Sequence, residues 1–287
     1  MPTSKYPALP LAEWQPTRDL LHRYSQVVSH VRRLFSEPEP HWWHLGLRQH
    51  PTGLTTGPLR VFGGGGASFE IRFDLLNSVG GAETNTGEMR IIPLQIGESQ
   101  HQFASNLLNT LWDMDLDLNY DVNQFDDPQT SEYHPEYGQR FGQALFHIFE
   151  VFEHFKGELE GDSSPINFWS HHFDLSLEWF SPRMVSYEED GQTISSPAQI
   201  GFGFVTGDKF IPEAYFYANP WPFEEAFTAL NLPEHGYWFT ARPRRADRRY
   251  QRRGLKGRCC LIVPCKKAVR LVCWLFCGRF IVSALRH

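Results

Sequence analysis

Residues Ser164–Arg183 read SPINFWSHHFDLSLEWFSPR. Within them Phe173, Leu175, Leu177 and Trp179 alternate with Asp174, Ser176 and Glu178. Successive side chains of a strand point to opposite faces, so the pattern predicts odd positions in a core and even positions on a polar face. One-sided burial is the mark of antiparallel sheet. Ser68–Leu76 repeats it, with Phe69, Ile71, Phe73 and Leu75 set against Ser68, Glu70, Arg72 and Asp74.

Helical periodicity fills the stretches between. Leu20, Leu21, Tyr24, Val27, Val28, Val31, Leu34 and Phe35 form one stripe, opening at Pro16 and closed by Pro38 and Pro40, with Arg18, Arg23, Arg32 and Arg33 mostly off it. Phe103, Leu107, Leu108 and Leu111 mark a second helix over Glu98–Trp112. Phe141, Leu145, Ile148, Phe149, Phe152 and Phe155 mark a third from Pro135 to about Glu158, and Phe223, Phe227 and Leu230 a short last one. Extended pieces are expected at His41–Gln49, Leu54–Phe62, Asp113–Val122, Gln199–Thr206 and Ala214–Phe223, with turns at Gly80–Gly81 and Thr86–Gly87. The fold class is α+β: mostly antiparallel sheet packed by three long helices and one short helix. Each half runs long helix, aromatic strand, alternating strand, further strands, helix, and FEIRFD and FDLSLE hold matching places. The echo reads as a tandem helix-plus-strands duplication.

Hydrophobic residues make up 41% of the 287 and charged residues 21%, which excludes a disordered chain. The net charge of -6 conceals a split. Ala241–His287 carries 14 of the 27 Lys and Arg, one acid (Asp247) and all five cysteines. Residues 1–240 are therefore read as an acidic α+β domain and 241–287 as a separate basic, Cys-rich tail. The tail has three readings: a nucleic-acid-binding arm, a membrane-surface segment at Leu271–Leu285, or non-native sequence from a shifted reading frame. Its cysteines lack a CxxC, which argues against zinc. Fifteen residues containing Arg279 are too few to span a bilayer, so no transmembrane segment is expected. Met1–Trp14 shows no basic region followed by an apolar run, and the expected location is the cytoplasm.

Several motifs in series resemble a bacterial domain-of-unknown-function family, the one numbered five-nine-nine-six. They are PALPLAEW, LLHRYSQVVSHVR, HWWH, GLTT, FEIRFD, SPINF, FDLSLEWFSPR and PEAYFYANPWP, in that order over about Pro7–Trp238. The resemblance implies a bacterial cytosolic protein and supplies no reaction, cofactor or catalytic residue. The chain departs from the family pattern at Asn167, where a His is expected, and at Trp179, where an Arg is expected.

Phosphate loops, dinucleotide fingerprints, nucleophile elbows and HExxH are missing from the sequence, and the run Gly63–Gly66 reads as a hairpin loop. The aspartates of Asp113–Val122 lack the glycine of a calcium loop and read as a solvated strand face. His41 and His44, three apart on a strand, point to opposite faces and cannot share a metal. Extending the Phe173 strand backwards puts His172, Asp174 and Glu178 on one polar face, a set suited to general acid/base or metal-assisted hydrolysis; the competing reading is a plain polar sheet face. Trp42, Trp169, Trp179, Tyr215, Tyr217 and Trp221 are candidates to line an aromatic ligand pocket. The expected function is a non-catalytic binding or structural protein taking a small molecule, with no cofactor and no assigned metal ligand. The alternatives are a hydrolytic enzyme using His172, Asp174 and Glu178, or nucleic-acid association through the tail.

Overall fold

The computed structural model describes residues 7–61, 66–94, 97–116, 120–230, 232, 236–241 and 258–264. Its elements are, in order, α1 (Leu11–Phe35), β1 (Arg48–His50), β2 (Gly53–Thr55), β3 (Leu59–Arg60), β4 (Ser68–Asp74), β5 (Val79–Thr84), β6 (Met89–Pro93) and α2 (Gln100–Trp112). Next come α3 (Pro135–Glu158), β7 (Asp162–Ser163), β8 (Asn167–Trp169), β9 (Asp174–Glu189), β10 (Gln192–Val205), β11 (Tyr215–Trp221), β12 (Tyr237–Ala241) and β13 (Arg258–Pro264). Short 3₁₀ turns lie at Pro40–Leu45, Val122–Gln124 and Glu225–Ala229. The fold is α+β, with antiparallel sheets, three long helices and a short one. The chain forms two compact units, Met1–Glu150 with Asn167–Asp174, and Val151–Ile166 with Leu175–His287.

The first unit holds a sheet of order β1-β2-β4-β5-β6, with β3 also on β4. Phe69, Ile71 and Phe73 of β4 are buried and the residues between them half-buried, as the alternation predicts. Tyr24 of α1 stacks on Phe103 of α2, centroids 3.8 Å apart, and gives its hydroxyl hydrogen to the Glu98 carbonyl. Ser99 and Gln102 close a capping box at the start of α2. Helix α1 begins five residues before Pro16, the expected start. Trp14 is fully buried and packs on Phe141 (5.3 Å) and Phe173 (6.5 Å), and burying an indole outweighs one missing amide in the second turn.

Three local expectations fail here for identifiable reasons. Gly80 and Gly81 lie inside β5; the turn is Leu75–Ser78, and a Cβ at Gly81 would come within 2.6 Å of the Arg90 carbonyl oxygen. Asp113–Asp115 is a turn rather than a strand, because the amides of Asp113, Met114 and Leu116 are taken by the carbonyls of Asn109 and Leu111 at the end of α2. Arg23 and Arg32 are buried, not off the stripe, whereas Leu34 is exposed. The glycines 63–65, positions 117–119 of the expected aspartate-bearing strand, and the tail at 242–257 and 265–287 lie outside the described residues, as does the proposed membrane-surface segment.

The second unit holds strands in the order β12-β13-β11-β10-β9-β7. Leu175, Leu177 and Trp179 of β9 are buried, as their odd parity predicts, but Ser176 is buried as well and Glu178 half-buried, so this part of β9 is covered on both faces and the expected polar face is not open. Ile200, Phe202 and Phe204 of β10 are buried too; Phe202 meets Phe155 edge-on at 4.9 Å, and Phe204 meets Phe216 at 5.2 Å. β13 comes from the basic tail and pairs with both β11 and β12. Among the described residues no helix is long and apolar enough to cross a membrane.

Gly201 and Gly203 make an internal control for packing on β10. A Cβ at Gly203 would sit 2.1 Å from the Tyr217 ring, while one at Gly201 meets nothing within 4 Å. Urea denaturation is expected to show Gly203→Ala destabilised by about 1–3 kcal/mol and Gly201→Ala changed by no more than about 0.5 kcal/mol. Equal effects would contradict the packing.

Candidate functional site

The stretch SPINFWSHHFDLSLEWFSPR does not place His172 on the strand. After β8 the chain turns through Ser170–Phe173, with the amides of His172 and Phe173 both donating to the Trp169 carbonyl, at 3.3 and 2.8 Å. Phe173 is left-handed (φ 56), and β9 starts only at Asp174. The strand parity extended back to His172 is therefore broken by one residue of opposite backbone hand. The reason lies in the core: the Phe173 ring is buried between Phe168 (5.0 Å), Phe141 (5.4 Å) and His22 (5.3 Å). Both neighbouring histidines remain exposed, their rings 4.4 Å apart. Asp174 is buried in the first unit, and Glu178 belongs to the second unit, where burial pushes its carboxyl above the usual range.

His22 escaped the sequence reading because it looks like one polar residue on a helix. Burial lowers its pKa, the Arg18 charge adds to that, and the carbonyls of Ser170 and His171 pull the other way. Helix α1 thus holds the 170–173 turn from beneath with a neutral imidazole.

HWWH forms a 3₁₀ turn, not the expected strand. His41 (φ 54) and Trp42 (φ 62) are both left-handed; Trp42 is 61% exposed, whereas His44 is buried. The Glu39 amide donates to His44 Nδ1 at 3.1 Å, and the Gly46 amide to the Trp43 carbonyl at 3.2 Å. Behind the turn lies Arg32, only 7% exposed, which donates from Nε to the His44 carbonyl at 2.7 Å and from Nη1 to the Thr56 carbonyl. Arg48 stands opposite Thr55 in the β1–β2 ladder and donates from Nη1 to Asn167 Oδ1. Asn167 is buried, and a Cβ at Gly46 would fall 2.7 Å from it. Leu47 and Phe168 exchange backbone hydrogen bonds of 2.9 Å, which fixes β8 beside this turn. Burial pushes Arg32 down to about 10, with Arg48 reinforcing the shift and Glu39 opposing it; Arg48 is lowered by burial and likewise opposed by Glu39.

The six aromatic candidates divide between the units. Trp42 and half-buried Trp169 belong to the first. In the second, Trp179 is buried with Nε1 donating to the Glu160 carbonyl, Tyr215 donates to Asp208 Oδ2 at 2.8 Å, Tyr217 covers Gly203, and Trp221 meets Tyr187 edge-on. An open cleft of about 560 Å³ in the first unit is lined by Ser99, His101, Gln102, Asn123, Asp126, Pro128 and Thr130, none of them singled out by the sequence. Among the described residues no group of three or more His, Cys, Asp or Glu is placed to hold a metal ion.

Fold and site together define an α+β protein with a strained aromatic turn backed by the buried Arg32. The model of a family of unknown function, DUF5996, matches residues 6–245, and the chain belongs to that family. No curated protein and no solved structure matches the chain.

Two pH effects follow from burial. Glu178 has a raised folded pKa, so its contribution is most favourable below 4.5 and is lost as pH rises through the folded value. Glu178→Gln is expected to raise stability at pH 7 and to lose that advantage at low pH, followed by urea midpoints across pH; destabilisation at pH 7 would contradict it. His22 has a lowered pKa, so its contribution is complete above 6.5 and is lost as pH falls through the folded value. His22→Gln should flatten the fall in stability on acidification below pH 6.5; an unchanged slope would contradict a neutral, half-buried imidazole.

Proposed function

We propose that the chain is a non-catalytic binding protein that engages its ligand at the Pro40–Leu45 turn. Trp42 carries this reading. Its indole is exposed while its backbone is left-handed, and the turn bearing it is fastened from behind through the His44 carbonyl. Strained backbone persists only where the surroundings over-determine it, and exposed Trp is enriched at recognition sites. The turn is therefore built to present an aromatic surface. Trp169, exposed in part on the same unit, adds a second aromatic face to the reading.

A hydrolytic role for His172, Asp174 and Glu178 is the second reading. It is supported by the buried carboxylate of Asp174 and by the upward shift of Glu178, since perturbed carboxyl groups gather at catalytic sites. The first reading is preferred because His172 leaves the chain from a turn and Glu178 from a strand, with a left-handed residue between them.

Ligand-observed NMR against a panel of small organic acids, phosphates and aromatic metabolites, run on wild type and Trp42→Ala, tests the choice. At least one class is expected to bind and to lose about tenfold in affinity in the variant, roughly 1.4 kcal/mol, with an unchanged circular dichroism spectrum. Turnover of nitrophenyl ester or phosphate substrates by wild type, abolished in His172→Ala, would overturn the proposal in favour of the enzyme.

A further inference from the structure

We infer that Arg32 and Arg48 form a recessed site for a small oxyanion, a carboxylate or a phosphate, beside the Pro40–Leu45 turn. The inference supplies the ligand chemistry of the binding reading above and rests on it for the apolar part that Trp42 meets.

The backbone brings the two arginines to the same end of β2. Arg32 reaches the carbonyl of Thr56, and Arg48 pairs with Thr55, the residue before it. Arg32 also holds the carbonyl of His44, four residues upstream of Arg48. Among the described residues their acceptors are neutral: two backbone carbonyls for Arg32 and one amide oxygen for Arg48. A guanidinium offers five N–H groups in a planar fork. Arg32 uses two of them and Arg48 one in these bonds. Neither arginine makes an ion pair among the described residues.

Buried arginines are ordinarily paired, because an uncompensated charge away from water is costly. A purely structural clamp accounts for Arg32 Nε and Nη1. It does not account for a second, half-buried cation whose charge bears on the first. Glu39 is the acid whose charge reaches both arginines, yet it is exposed and makes no ion pair with either among the described residues. An oxyanion between the forks supplies the missing charge and takes up the remaining donors, the geometry for which arginine is suited.

The test titrates the full chain with sodium phosphate and with sodium acetate, each against sodium chloride at equal ionic strength, reading the thermal midpoint and calorimetric affinity. Phosphate, acetate or both should raise the midpoint beyond chloride. Arg48→Met should weaken the anion at least tenfold with an unchanged circular dichroism spectrum. Glu39→Gln should tighten it severalfold, which a clamp without a ligand does not predict. Should Arg48→Met fail to fold, Arg48→Lys takes its place: the ammonium keeps the charge but loses the fork, and affinity must still fall. No anion-specific stabilisation of wild type, or equal stabilisation in the Arg48 variant, would overturn the site. Trp42-dependent binding of uncharged ligands with no anion effect removes this inference alone; anion binding with no Trp42 dependence in any ligand removes the binding reading alone.

Discussion

The arrangement of the first unit turns on one buried charge. Arg32 is buried on α1, like Val28 and Val31 of the same helix, and it is tolerated there because its N–H groups end on the carbonyls of His44 and Thr56. That requirement draws three chain segments together: a helix, a turn and the end of a strand. His44 is pulled inward, its ring accepts from the Glu39 amide, and the two residues before Trp43 take the left-handed conformation that closes so short a turn. Gly46 follows because no larger residue fits against Asn167, and Asn167 in turn takes Arg48. Each step is the local answer to a polar group that must not be left bare.

The same logic governs the 170–173 turn. Phe173 belongs to an aromatic cluster with Trp14, Phe141 and Phe168, and its backbone accepts a positive φ to put the ring there. For a bulky residue that conformation costs on the order of 1–3 kcal/mol, comparable to what burying one aromatic side chain contributes. His22 closes the underside as a neutral ring. The exposed pair His171 and His172 is thus a by-product of where Phe173 must go.

What the sequence made legible was what repeats. The alternation in Ser68–Asp74, the buried odd positions Leu175, Leu177 and Trp179, most of the stripe of α1 and the span of α3 depend on many residues agreeing, and they appear in the fold; the polar face expected between those odd positions does not, since Ser176 is buried too. Family membership was also readable, because it rests on eight motifs in order. What was not readable depended on single contacts. Gly80 and Gly81 look like punctuation until the Arg90 carbonyl is seen facing one of them. HWWH looks extended, since Trp favours strands, until Arg32 claims the His44 carbonyl from twelve residues away. Arg32 reads as one of four arginines mostly off the α1 stripe, and no periodicity distinguishes a buried arginine from an exposed one. His172 was placed by a parity that holds only while every residue keeps the same hand.

Hydrogen exchange of the arginine Nε–H groups, followed by nitrogen-15 NMR at neutral pH, tests the central claim most directly. Arg32 is buried and donates to a carbonyl, while Arg33, the next residue on the same helix, is exposed. The account predicts a resolved, strongly protected Nε–H for Arg32 beside a rapidly exchanging one for Arg33. Equal, fast exchange of the two would mean that Arg32 does not hold the turn, and the site built on it would fall.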